Sequence, residues 1–229
     1  MPSIAIEASE LTKVYGKGNA KTYALRGVSF SIEKGEFIAI KGPSGSGKTT
    51  LLNIIGALDR PTSGKVLLDS VDISKLPSSS LAKIRNTKIG FVFQLFNLIG
   101  RMTVLENVEV PLLLRNITSG QRRRVAISLL ESLGLGSRAN LRPDQLSGGE
   151  QQRVAIARAL ATNPDIVLGD EPTGNLDSKN ADAVMDILQR LNEEQGKTLV
   201  IITHSEEVAR RARKIIHIRD GLIERIEVN

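Results

Sequence analysis

Phe37-Ile38-Ala39-Ile40-Lys41-Gly42-Pro43-Ser44-Gly45-Ser46-Gly47-Lys48-Thr49-Thr50-Leu51-Leu52 holds the reading that decides the fold. Its first residues form a short, continuously apolar run, as expected of a strand buried on both faces and predicted over 36–41. The next eight, Gly42 to Thr49, fit the pattern GxxxxGK[ST], and a helix is predicted to begin with Thr50-Leu51-Leu52. Glycines let successive backbone N–H groups turn inward without Cβ clashes, which makes a nest for anions. The helix N-terminus adds its partial positive charge. In such a loop Lys48 is expected to bridge the β- and γ-phosphates of a nucleotide, and the Thr49 hydroxyl to ligate Mg2+.

Outward from this loop, three more apolar runs rich in Ile and Val alternate with longer helical patterns. They are Ile89-Gly90-Phe91-Val92-Phe93, Ile166-Val167-Leu168 and Leu199-Val200-Ile201-Ile202. Alternation of this kind predicts a parallel α/β sheet. The first thirty or so residues differ, since Ile4-Ala5-Ile6-Glu7 and Leu25-Arg26-Gly27-Val28-Ser29-Phe30 suggest an antiparallel layer. From about Gln94 to Ala161 the strand signal disappears. Ser119 is placed as the N-cap of a helix running to Gly134, with Val125, Leu129, Leu130 and Leu133 on one apolar face. A second helix is predicted from near Ser147. The expected organisation is one domain over 1–229, with 1–93 and 162–229 as the core and 94–161 as an inserted helical subdomain.

Ile166-Val167-Leu168-Gly169-Asp170-Glu171 is an apolar strand that ends in two adjacent acids. Consecutive strand residues point to opposite faces, so the two acids can serve different atoms. Asp170 is expected to bind Mg2+ through water, and Glu171 to polarise the attacking water. Such a pair also suits a cap or a turn, but the phosphate loop upstream and Pro172-Thr173-Gly174 downstream favour chemistry.

Composition removes other classes. There are no cysteines, so disulfide frameworks and thiolate metal sites drop out. No uninterrupted apolar stretch reaches about 18 residues, so no membrane-spanning helix is expected. The start, MPSIAIEASE, lacks the charged and apolar regions of a secretory signal, and a cytoplasmic location is the simplest expectation. The 31 basic and 25 acidic residues leave a net charge of +6. Aromatic residues are only 3% with no Trp, so no stacking platform for single-stranded nucleic acid exists and no nucleic-acid partner is expected. The basic run Arg122-Arg123-Arg124 reads as a solvated face.

Leu146-Ser147-Gly148-Gly149-Glu150-Gln151 precedes a helical stretch, Gln152-Arg153-Val154-Ala155-Ile156-Ala157-Arg158-Ala159-Leu160. Ser147 can cap that helix, and Gly148 and Gly149 leave N–H groups uncovered for a second anion site. The same residues suit a plain capped start with glycines for close packing. Here a resemblance becomes specific: LSGGEQQRVAIARAL resembles the signature motif of ABC ATPases. Further features follow in that family's order, and the resemblance covers essentially the whole chain. It implies a P-loop NTPase (RecA-like) core with an N-terminal antiparallel β layer and a helical insertion, working with ATP and Mg2+. Tyr15 matches the aromatic that stacks on adenine, Gln94 the Q-loop glutamine, Asn175-Leu176-Asp177 the D-loop and His204 the switch histidine.

The family implies that each ATP lies between two subunits of a homodimer. Gly42, Pro43, Ser44, Gly45, Ser46, Gly47, Lys48, Thr49 and Thr50 would hold it from one side. Ser147, Gly148, Gly149 and Asp177 would act from the other, with Ser147, Gly148 and Gly149 reaching the γ-phosphate in trans. Thr49, Gln94 and Asp170 would serve the metal; Glu171, His204 and Gln94 would serve catalysis. His204 would sense loss of the γ-phosphate, and Gln94 would couple hydrolysis to movement of the helical lobe.

Lys88 to Ile99, Ile54 to Gly64 and Gly174-Asn175-Leu176-Asp177-Ser178 resemble ATPases of the lipoprotein-release and macrolide-exporter group. That likeness implies a separate four-span permease with a large extracytoplasmic domain, docking at Phe96 to Met102, and a chain peripheral on the cytoplasmic face of a membrane. Leu95, Gly100 and Ser205 depart from that group, which more often has Gln, Pro and Asp there. A cell-division ATPase that signals through its permease without moving cargo has the same architecture. DNA-repair and translation types are disfavoured, because the chain carries one signature and no zinc module.

Overall fold

The computed structural model describes residues 3–229. Two sheets form its frame. The first is antiparallel and four-stranded, in the order β2 (Thr22–Glu33), β1 (Ile4–Tyr15), β4 (Ser63–Leu68) and β5 (Val71–Asp72). The second is six-stranded, in the order β10 (Leu222–Val228), β9 (Lys214–Arg219), β3 (Phe37–Lys41), β8 (Thr198–Ile202), β7 (Ile166–Asp170) and β6 (Ile89–Phe93). Within it β9, β3, β8, β7 and β6 are parallel and β10 alone runs back.

The continuous apolar runs have a direct cause. Ile38 and Ile40 of β3 face one hydrophobic cluster while Phe37 and Ala39 face another. On β8, Val200 and Ile202 share the first, and Leu199 and Ile201 the second. Strands covered on both faces leave no position for a polar side chain. The first cluster is closed by the antiparallel layer and by α1 (Lys48–Ile55). The second is closed by α5 (Gly148–Leu160), α6 (Ser178–Gln195) and α7 (Glu206–Arg210). A third cluster lies among α3 (Val104–Glu109), α4 (Ser119–Ser132) and α5, where Val104, Val108, Leu130 and Val154 are fully buried. Between β6 and β7 the described elements are all helical.

Several local expectations are corrected. The helix after the phosphate loop starts at Lys48, two residues before Thr50, so Lys48 and Thr49 lie in its first turn. The cap of α4 is Thr118 rather than Ser119: its hydroxyl accepts from the Gln121 N–H while the Gln121 side chain accepts from the Thr118 N–H. This reciprocal box fixes the first turn one residue earlier than sequence suggested. Helix α4 ends at Ser132, and Gly134 follows with φ +71°. Its buried face centres on Ala126 and Leu130, whereas Val125 is exposed.

The sequence reading also missed β4, β5, β9, β10 and α2 (Ser78–Lys88). Two hairpins among these carry a short-range signal. Asp69-Ser70 and Asp220-Gly221 both have positive φ at each residue, the geometry two-residue hairpins need.

Replacing Thr118 by Ala should lower stability by about 1 kcal/mol, whereas Ser119→Ala should change it by only a few tenths. Urea midpoints of the two variants check the assignment of the cap.

Candidate nucleotide site

The C-terminal ends of β3, β7, β8 and β6 collect the predicted residues. Gly42 to Gly47 continue from β3, and Lys48 opens α1. Gly47 has φ +103°, and a Cβ there would run into the Ala24 carbonyl, so the turn into α1 requires glycine. Lys48 is buried, and its ammonium donates to the Gly42 and Pro43 carbonyls at 2.8 Å each. Burial pulls its pKa down, while Glu171 and then Asp170 oppose that by their charge. Ser46 is buried too, and its hydroxyl oxygen has no hydrogen-bond partner among the described residues. Pro43, Ser44 and Gly45 are exposed at the lip of the loop. A buried hydroxyl without a partner beside a desolvated ammonium fits a polyanion held by the loop, as the phosphates of ATP would be.

Asp170 ends β7, paired in register with Phe93 of β6 and with Ile202 of β8. Burial raises its carboxyl above the ordinary aspartate value, and the charge of Glu171 adds to this. A hydrogen bond with Thr49 and the charges of Lys48 and His204 work against the rise. A partly desolvated carboxylate beside a threonine hydroxyl fits Mg2+, which is held by one or two protein oxygens plus substrate phosphates and water. Glu171 turns out of the strand with φ +47°, and its N–H donates to the Ile202 carbonyl at 3.0 Å. Its Oε1 lies 2.6 Å from His204 Nε2.

Gln94 follows β6. Its side-chain amide donates to Asn175 Oδ1 at 3.2 Å, and Asn175 Nδ2 donates back to the Gln94 carbonyl at 3.1 Å. The loop after β7 and the loop after β6 are thereby tied together.

Tyr15, half-exposed at the end of β1, donates its hydroxyl proton to Asp59 Oδ2 at 2.8 Å. Its side chain also meets Thr50, which brings the aromatic beside the first turn of α1. Lys13 Nζ lies 4.8 Å from the Tyr15 ring centroid and 2.7 Å from Asp59 Oδ1. Burial raises the Asp59 carboxyl, but hydrogen bonds from Lys13, Tyr15 and the Arg60 N–H outweigh it and hold the pKa low.

The signature residues lie elsewhere. Ser147 caps α5, accepting from the Glu150 N–H at 3.3 Å while Glu150 Oε2 accepts from the Ser147 N–H at 2.9 Å. Gly149 is buried, and a Cβ there would overlap the Asn180 side chain, whereas Gly148 has room. Asp177 caps α6, with one carboxylate oxygen on the Asn180 N–H and the other on its side-chain amide. Within its own chain Asp177 is a helix cap, a role the sequence reading did not weigh. Among the described residues, no hydrogen bond or ion pair joins 42–49 to 147–151.

Sequence reasoning overlooked Asp59 and Lys13, and on α5 it passed over Gln152 and Arg158. Gln152 is fully buried and donates to the Phe93 and Pro172 carbonyls at 3.2 and 2.5 Å. Arg158 donates to the Phe96 and Asn97 carbonyls at 2.8 and 2.5 Å, holding two successive residues at φ +53° and +52°. No spacing rule in one sequence marks contacts of this kind.

Residues 25–174 match the ABC transporter family, and the chain belongs to that family as an ATP-binding, ATP-hydrolysing cassette that works with Mg2+. Its relatives define the setting more narrowly. An ABC transporter ATP-binding protein of Thermotoga maritima is 52% identical over 222 residues, covering 97% of this chain and 94% of that one. The macrolide export ATP-binding/permease protein MacB of Syntrophobacter fumaroxidans is 50% identical over 96% of this chain, which spans only 31% of MacB. The post-hydrolysis dimer of the cassette MJ0796, from Methanocaldococcus jannaschii and bound to ADP and Pi, superimposes with a TM-score of 0.90. Identity to it is 50%, with 97% of this chain and 98% of that one covered. No helix among the described residues is long and apolar enough to cross a membrane.

The low Asp59 pKa predicts a pH signature. A carboxyl whose folded pKa lies below its unfolded value stabilises the fold above the unfolded value, and loses that contribution as pH falls through the folded one. Wild type should therefore be more stable than Asp59→Asn at pH 7, with the gap narrowing from about pH 4 downward. Urea midpoints of both proteins across that range measure it.

Proposed function

We propose that two copies of this chain pair head to tail around ATP, and that hydrolysis in the pair drives a separate membrane permease of the lipoprotein-release or macrolide-export type. The observation that supports this is that, among the described residues, no hydrogen bond or ion pair joins the phosphate-loop stretch 42–49 to the stretch 147–151 of the same chain. Neither half completes the other, and a two-fold pairing that sets 42–49 of one copy against Ser147-Gly148-Gly149 of the next supplies what each lacks. The MJ0796 relative, described as a dimer with ADP and Pi, supports the reading.

In such a pair the Gly42–Gly47 backbone and Lys48 hold the phosphates, and Tyr15, fixed by Asp59 and Lys13, carries the adenine. Thr49 and Asp170 would hold the metal with Gln94 nearby, and Mg2+ would supply charge neutralisation there. Glu171 accepts a hydrogen bond from the attacking water and aligns it. His204, 2.6 Å from Glu171 Oε1, keeps that carboxylate in place and contacts the γ-phosphate. Asp177 meets the nucleotide site from the partner copy.

Residues 94–161 would move as a lobe against 1–93 and 162–229. Gln94, paired with Asn175, lies where the lobe leaves the core, and Gln152 and Arg158 tie α5 to the same loops. The permease would dock at Phe96 to Met102. Within that stretch Ile99 is 40% exposed, and Leu95, just before it, is 74% exposed. The MacB relative, by its name an ATP-binding/permease protein, favours this partner class.

Changing Glu171 to Gln should leave ATP binding intact and lower turnover by roughly 10²–10⁴-fold. The same variant should persist as a dimer with ATP in sedimentation velocity runs. Undiminished turnover removes Glu171 from its role, and a monomer that hydrolyses ATP at full rate at every dilution removes the pairing.

A further inference from the structure

A groove of about 880 Å³ lies between α4 and α6, away from the nucleotide site. These helices both pack against α5, and the groove separates their outer turns. Its apolar lining comes from Val125, Leu129 and Leu133 of the α4 segment, from Leu160, and from Ile187 and Leu191 of α6. Leu129 and Leu133 sit at the boundary of two hydrophobic clusters and are only partly buried by them. The volume falls in the range of small-molecule sites.

Its charged lining is one-sided. Arg124, Arg190 and Lys197 contribute to it against the single carboxylate Glu194. Among the described residues, none of the three cations is within ion-pair distance of a carboxylate. Arg124 donates to the Gly120 carbonyl, Arg190 to the Asp186 carbonyl, and Lys197 to Asn163 Oδ1 at 2.6 Å. Lys197 is the unusual one, since lysine is seldom buried without a partner and this one is only 8% exposed. The carboxylate closest in influence, Asp165, is engaged by Lys88 at 2.7 Å. Burial accordingly depresses the Lys197 pKa. Arg124 belongs to the basic run that sequence alone assigns to solvent, and the structure sets it beside an apolar floor.

We propose that this groove binds a single-chain anionic amphiphile from solution, with its hydrocarbon on the Leu129–Leu191 floor and its headgroup between Arg124, Arg190 and Lys197. An aliphatic chain fits a floor that offers no aromatic ring. An anionic headgroup supplies the carboxylate or phosphate oxygens these cations lack within the chain. The lining comes entirely from one chain, so binding does not require the pairing proposed above.

The test is calorimetric titration of the full chain below micellar concentrations. The probes are sodium dodecanoate, dodecyl phosphate and dodecyltrimethylammonium, alongside a sedimentation assay with phosphatidylglycerol vesicles. Dodecanoate or dodecyl phosphate should bind one to one, and the cationic amphiphile of equal chain length should bind at least about tenfold more weakly. An Arg124→Gln/Arg190→Gln double variant should lose at least about tenfold in affinity for the anionic probes. Ser128→Trp, on an exposed position of the groove, should block binding while keeping every charge. Melting curves matching wild type establish that the variants fold. Equal affinity for the cationic and anionic probes, unchanged affinity in the double variant, absence of saturable binding, or binding to vesicles alone would overturn the proposal.

Discussion

The Glu171 N–H reaches sideways to the Ile202 carbonyl at 3.0 Å, and the organisation of the site follows from that bond. It extends the β7–β8 pairing one residue beyond Asp170, into a position with φ +47° where a strand can no longer continue. The backbone of Glu171 is thus held by the neighbouring strand while its side chain turns to meet His204, two residues past the end of β8. Because β6, β7, β8 and β3 run parallel in one register, their ends lie at one edge. Gln94, Asp170, Glu171, His204 and the phosphate loop are therefore neighbours by topology before any side-chain contact forms. The sheet is buried on both faces behind this edge, where burial and then the charge of Glu171 raise the Asp170 carboxyl above the ordinary aspartate value.

How far the sequence discloses this depends on the range of the interaction. Strands buried on both faces announce themselves, since Phe37–Ile40, Ile89–Phe93, Ile166–Leu168 and Leu199–Ile202 admit no polar residue. The phosphate loop is equally plain, because its glycines answer a local backbone demand. Edge strands with one open face are harder. Strand β10 is mostly exposed, so its alternation with β9 shows no clean apolar period, and only Asp220-Gly221 betrays the hairpin. The cap of α4 was misplaced because Thr118 and Ser119 have equal chemical claims, and the Gln121 reciprocal bond decides between them. Asp59, Gln152 and Arg158 were invisible for another reason: their partners are up to 46, 59 and 62 residues away.

Helix α5 deserves its own account, because it carries unlike demands at its two ends. Its N-terminus displays Ser147 and Gly148, while Gly149 is pressed against Asn180 at the start of α6. Its middle inserts Gln152 between the loops after β6 and β7, where the amide answers two backbone carbonyls. Its last turn sends Arg158 to the carbonyls of Phe96 and Asn97, two successive residues in the left-handed region. A displacement of any of these loops is therefore felt by the helix as a whole. Side-chain packing alone would permit slippage; charged and buried hydrogen bonds resist it.

The groove between α4 and α6 bears on the same mechanics. Both helices rest on α5, yet α4 belongs to the stretch inserted after Gln94 and α6 begins at the Asp177 cap beside the loop that Gln94 touches through Asn175. A movement of α5 relative to the sheet must widen or narrow the space between them. A molecule seated on Leu129, Leu133, Ile187 and Leu191 would bury apolar area only at one spacing of the two helices, at roughly 25 cal/mol per Å² covered. Its differential affinity for that spacing sets how strongly it can bias the equilibrium, whatever its total affinity.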